Sequence, residues 1–137
     1  MSKYATVQTD FKDAECLVQA LHEIGYTDAK FHEKAQHLVG YQGDVRTQTA
    51  EVIVRRKVKG GLGSASNDLG FKRNAEGNYE ALISDYDQGF LGRAFVPRLQ
   101  DAYAEINTKK TALIQGLRFV QRTVNELGEV QLEFAVI

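Results

Sequence analysis

The chain has 137 residues, one cysteine, 43% hydrophobic and 26% charged residues, and a net charge of −1. That is the length of one domain, expected to span 1–137, with enough chain to bury a core without staples. The near-zero charge gives no global attraction to nucleic acid or anionic membranes. One cysteine excludes an internal disulfide framework and a multi-cysteine zinc site, and no apolar run nears the roughly 20 residues needed to cross a bilayer.

Lys3–Gln8 alternates as a first strand. Thr9 or Asp10 then caps a helix expected at about 10–24, where Phe11, Ala14, Leu17, Val18, Leu21 and Ile24 form one stripe and Gly25 ends it. Cys16 falls off that stripe, beside Lys12, Ala20 and Glu23, and is expected to be partly exposed. Thr27–Gln42 reads as a pair of short strands, with a bend or bulge at Gly40 and Gly43. Glu51–Lys57, Leu69–Arg73 and Tyr79–Ser84 read as strands, the last two split by a turn at Asn74–Asn78. Between them Gly60–Asn67, nearly all small and polar, is expected to be the most mobile internal segment.

A second helix is expected at about 97–115, with Pro97 in its first turn and Gly116 as its stop. Leu117–Val124 and Glu129–Ile137 flank a turn at Asn125–Gly128. Val130, Leu132, Phe134 and Val136 alternate, which predicts one buried face. The order of elements implies an α+β fold: an antiparallel or mixed sheet of about six to eight strands with two helices on one face. The two ends share a β-α-β-β outline, as duplicated halves would. Core candidates are Leu17, Val18, Leu21, Val52, Val54, Phe71, Leu82, Leu99, Tyr103, Ile106, Leu132 and Phe134.

Four segments, SKYATVQTDFKD, NDLGFKRNAEGNYEALISDYD, RLQDAYAEINTKK and EVQLEFAV, cover nearly the whole chain and resemble the hypothetical chloroplast reading frame thirty-five family. The best motif pairs Asp68, Leu69, Gly70 and Phe71 with Tyr79, Glu80, Leu82, Asp85 and Asp87. Where that family often carries tryptophan, this chain has Tyr86 and Phe90. The resemblance implies a small soluble accessory protein of cyanobacteria, algal plastids and some other bacteria. It supplies no catalytic residues. The opening, polar with early acids, is unlike a signal or transit peptide. The expected location is therefore the cytoplasm, or the plastid stroma for a plastid-encoded chain.

The oddest charge cluster is Arg55, Arg56, Lys57, Lys59, Lys72 and Arg73. If it converges at one end of the sheet it offers a docking surface for an acidic partner or phosphates. The plainer reading is a solvated hairpin end whose cations discourage edge pairing. GGLGSAS lacks the spacing of a phosphate-gripping loop and no helix pattern follows it. Asp85 and Asp87, with Glu80 nearby, are an acid pair in one reading and helix-start capping residues in the favoured one.

His22, His32 and His37 share no ligand spacing, so no metal and no cofactor are expected. Tyr4, Tyr26, Tyr41, Tyr79, Tyr86 and Tyr103 interleave with cations as in single-strand binders, but rings in the core with hydroxyls at the rim is the simpler account. The expected function is non-enzymatic: binding another protein through the free sheet face or the basic loop. The alternatives are a nucleic-acid or nucleotide module using Arg55–Lys59, and a small enzyme using Asp85 and Asp87. The sequence does not set the oligomeric state.

Overall fold

The computed structural model describes residues 3–57 and 66–137, with the backbone alone at Phe90. The fold is α+β. Strands β1 (Tyr4–Val7), β2 (Lys30–Val39), β3 (Val45–Val54), β4 (Leu69–Arg73) and β5 (Tyr79–Ser84) form an antiparallel sheet in the order β1-β5-β4-β3-β2. Helices α1 (Ala14–Glu23), α2 (Asp85–Leu91) and α3 (Phe95–Ile114) precede a separate hairpin of β6 (Leu117–Val124) and β7 (Val130–Val136). The chain divides into two compact units, Met1–Tyr103 and Ala104–Ile137, with the boundary inside α3. The two β-α-β-β outlines differ in pairing. After α1 the strands join the five-stranded sheet, and after α3 they form a sheet of their own.

In the first unit, Val52, Phe71, Ala81 and Val7 lie in register straight across β3, β4, β5 and β1. Val52 and Phe71 are fully buried, as are Leu17 and Leu21 of α1 and Leu99 of α3, the apolar stripes that cover this face. The next row, Ile53, Gly70 and Leu82, points to the opposite face. There Leu38, Ala50, Ile53 and Leu82 make a second cluster with Tyr4 against it. A Cβ on Gly70 would stand 2.9 Å from both the Ala50 Cβ and a Leu38 methyl, so only glycine fits. The middle of the sheet is therefore buried on both faces.

Several boundaries move for identifiable reasons. Helix α1 begins at Ala14, capped by Asp13, whose side chain accepts from Cys16 N at 3.1 Å. Residues 9–13 are drawn out by tertiary bonds. Thr9 Oγ1 donates to the Tyr79 carbonyl, Tyr79 N donates to the Phe11 carbonyl, and the Tyr103 hydroxyl accepts from Lys12 N and Asp13 N. The helix buries Cys16, Leu17, Ala20 and Leu21 while Val18 is half-buried. Cys16 is 1% exposed, a small apolar core residue rather than a partly exposed one.

The stretch expected as two short strands is one strand, β2, whose register shifts between Phe31 and Gln36 and again between His37 and Val39. Strand β3 starts at Val45, six residues earlier than the apolar run suggests, because its polar first half pairs with β2. It stops at Val54 because Arg56 N donates to the Asp68 carboxylate instead of a strand.

In the second unit the Arg122 guanidinium grips the Glu105 carboxylate through two nitrogens, Nε to Oε2 at 3.0 Å and Nη2 to Oε1 at 3.0 Å. The Lys109 ammonium sits 4.0 Å from the centre of the Phe119 ring, which meets Phe134 edge-on. The face expected to be buried is covered only in part. Leu132 and Phe134 are half-buried, but Val130 and Val136 are exposed. Charged side chains of α3, Glu105 and Lys109, make contacts to this hairpin at Arg122 and Phe119.

Candidate functional site

Arg55, Arg56 and Lys57 follow β3 directly. The register Val52↔Phe71 and Val54↔Leu69 places Lys72 and Arg73 at the far end of the β3–β4 pair. There Lys72 Nζ donates to Thr49 Oγ1 and Arg73 N to Glu51, each at 3.0 Å. Lys59 lies outside the described residues, as do residues 60–65 of the segment expected to be mobile; Ser66 and Asn67, its last two, are buried. The structure thus gathers Arg55, Arg56 and Lys57 and leaves Lys72 and Arg73 apart.

What organises the gathered cations is Asp68, the first residue of the Asp68–Phe71 motif. Its buried carboxylate accepts from Val39 N at 2.8 Å, Arg55 Nη1 at 2.7 Å and Arg56 N at 2.6 Å. Its backbone N donates to the Val39 carbonyl and its own carbonyl accepts from the Tyr4 hydroxyl. Arg55 Nη1 also donates to the His37 carbonyl at 2.9 Å, and Arg56 Nη1 to the Tyr41 carbonyl at 3.1 Å. Lys57 pairs with Asp28, whose carboxyl it holds below the ordinary range by hydrogen bond and charge. Beside these groups, toward Lys30 and His32 of β2, lies an open hollow of about 340 Å³. The signal in the sequence was an acid placed just before an apolar strand, across a loop from a burst of cations.

The two acids of the YEALISDYD run part company. Ser84 caps α2: its Oγ accepts from Asp87 N at 3.1 Å and donates to Asp87 Oδ2 at 2.9 Å, a reciprocal capping pair. Asn67 closes the knot, donating from its N to Asp87 Oδ2 and from Nδ2 to Ser84 Oγ, while its Oδ1 accepts from Tyr41 N. Asp87 is 3% exposed, burial pushes its carboxyl up, and Oδ1 has no partner among the described residues. Asp85 faces outward and bonds the Lys3 backbone. One acid caps from inside and the other ties down β1, so they share no reacting centre.

The second unit presents a different surface. Among the described residues, nine of the thirteen exposed large hydrophobics fall in 113–137: Leu113, Ile114, Phe119, Val120, Val124, Leu127, Val130, Val136 and Ile137. Its two strands have unequal outer edges. The register breaks between Phe119 and Gln121, so Val120 bulges out of β6, which also carries Arg118 and Arg122. Strand β7 runs unbroken, with Glu133 its only charge.

A family model, described as Protein of unknown function (DUF1257), matches residues 20–133. The chain belongs to the DUF1257 family. No curated protein and no solved structure matches it. The matched span takes in the Asp68 node, the Ser84–Asp87 cap and most of the hairpin of this DUF1257 chain.

The remaining candidates have structural roles in the DUF1257 fold. His22 Nε2 bonds the Ala29 carbonyl and His37 Nδ1 the Arg46 carbonyl. No group of three or more His, Cys, Asp or Glu among the described residues is placed to hold a metal. Tyr4, Tyr79 and Tyr103 build the core and its connectors, and Tyr26 packs edge-on against Phe95. Burial pushes the phenols of Tyr4, Tyr26 and Tyr79 up. Tyr41 and Tyr86 are the exposed ones. No described helix is long and apolar enough to cross a membrane.

Proposed function

We propose that this DUF1257 chain is a non-enzymatic accessory protein that binds another protein, accepting an extended apolar segment of that partner along the outer edge of β7. The observation that carries this reading is the concentration of exposed apolar residues on a two-stranded hairpin with one unbroken edge. Two strands alone are marginal in water, and a third strand supplies both main-chain bonds and apolar cover. The bulge and arginines of β6 discourage pairing there, whereas β7 offers alternating Val130, Leu132, Phe134 and Val136 with little charge to repel a neighbour. The proposed setting is the soluble compartment of photosynthetic cells, cytoplasm or stroma, as the family resemblance implies.

The test uses the full chain and the exposed-site variants Val130→Glu and Val136→Glu. A partner recovered from native extract and then purified should bind the full chain directly. Each variant should weaken that binding about tenfold, as a desolvated interface charge does. Unaltered affinity in both variants would defeat the β7 edge as the docking element.

A further inference from the structure

We propose that the hollow beside Arg55–Lys57 is a second, independent site that binds the phosphate dianion of a small phosphorylated molecule. Its floor is Ile53, buried to 1% exposure, and Lys30 stands directly opposite Ile53 in the β2–β3 register. Among the described residues, Lys30, Arg55, Arg56 and Lys57 line it with His32, against one acid, Asp28. Asp68, behind Arg55, offsets one further charge. Four cations against two carboxylates leave a local excess of two positive charges, which matches a phosphomonoester near neutral pH.

Two features separate this place from an ordinary solvated edge. The first is preorganisation. Arg55 is fixed by Asp68 and the His37 carbonyl, and Arg56 by the Tyr41 carbonyl, while 44% of the Arg55 side chain remains open to solvent. Each guanidinium has five N–H donors in a rigid fork, so anchoring through Nη1 leaves others for an incoming anion. Side chains already held in place lose little freedom on binding. The second is exchange. Lys57 holds an exposed carboxylate, Asp28, and an exposed ion pair of this kind is weak enough to yield its lysine to a better anion. The hollow, about 340 Å³, exceeds a bare phosphate and leaves room for a small organic group on it.

The experiment titrates the full chain, at low salt, with inorganic phosphate in one arm and glycerol phosphate in the other, by calorimetry and by backbone NMR. Saturable binding is expected in both, tighter for the ester, with shifts confined to residues around Lys30, Ile53 and Arg55–Lys57. Lys30→Ala and Arg56→Gln should each weaken it about tenfold, the loss of one charge-assisted contact. Lys34→Ala, an exposed lysine outside the hollow, should leave it unchanged. Tighter binding of phosphate than of the ester would keep the anion site and remove the organic group. No saturable binding in either arm would overturn the proposal, as would binding indifferent to both Lys30→Ala and Arg56→Gln. So would a single-stranded oligonucleotide that binds far more tightly with a steep salt dependence, since that marks an extended nucleic-acid surface. None of these outcomes depends on β7, so this site and the docking edge stand or fall separately.

Discussion

The two ends of this chain treat polar and apolar groups in opposite ways. In the first unit, four polar groups go inside. Asp68, Asn67, Ser84 and Asp87 are all buried, and they join the segment before β4 to β2, to the residues after β3 and to the start of α2. In the second unit the charged groups lie outside, Glu105 with Arg122 and Lys109 over Phe119, while valines and leucines face solvent. A buried polar node is costly unless every member is satisfied, so it fixes one arrangement of its neighbours. An exposed apolar edge fixes nothing by itself and gains only when something covers it. The contrast teaches that the first unit is built as a scaffold and the second as a surface.

The largest effect should come from Asp68→Ala. It strips the acceptor from Val39 N and Arg56 N and leaves the Arg55 guanidinium without its buried partner. Water can rehydrate the half-exposed Arg55, but each backbone donor left unpaired costs about 1–3 kcal/mol. Urea unfolding should show that fall in midpoint, and a loss below 1 kcal/mol would mean the node does not organise the scaffold. Next is Gly70→Ala. Its methyl would meet Ala50 and Leu38 at 2.9 Å, and overpacking of this kind costs about 1–3 kcal/mol. Full stability in the variant would show that the second face yields freely, which would narrow the contrast between the units.

Asp87 allows a sharper test by pH. Burial raises its carboxyl in the folded state. The stability it contributes is therefore fully present below the unfolded value and is lost as pH rises through the raised folded one. In Asp87→Asn the amide oxygen can still accept from Asn67 N and Ser84 Oγ, and no carboxylate ionises. Unfolding followed from about pH 3.5 upward should show the wild type losing stability relative to the variant as pH rises. Parallel profiles would place Asp87 in contact with water.

The scaffold was more legible than the surface, for physical reasons. Strands β4, β5 and β6 fall where alternation and turn residues put them, because their apolar positions and their flanking Asn and Gly turns are local signals. The start of α1 was not legible. Bonds from Thr9 and Phe11 to Tyr79, 70 residues beyond Thr9, and from the Tyr103 hydroxyl, 90 residues beyond Asp13, hold residues 9–13 extended. The polar first half of β3 was hidden for the same reason: only pairing with β2 makes it a strand. Of the five described cations, three gather, because proximity in sequence carried Arg55–Lys57 together, whereas the antiparallel register sends Lys72 and Arg73 to the other end. Asp68 could be seen but not interpreted, since a buried acid and a solvated one look alike until their donors are known. The alternation of β7 was legible, but what covers it was not, because that depends on the helix face presented to it.

The smallest effect should be on the surface itself. Val136 is 82% exposed and Val130 42%, so replacing either with glutamate gives up little buried area. Substitutions at such positions usually change stability by within about 0.5 kcal/mol. In Val136→Glu the new charge stands on the apolar side of β7, one register step from Phe134 and directly opposite Leu117. It should leave the urea midpoint of the isolated chain where it is while weakening whatever pairs along that edge. Stability unchanged with binding lost is the signature of a surface. If Val136→Glu instead lowers the midpoint by more than 1 kcal/mol, β7 is already covered in solution. Sedimentation of the wild type would then show whether a second copy is what covers it, and the second unit would join the first as scaffold.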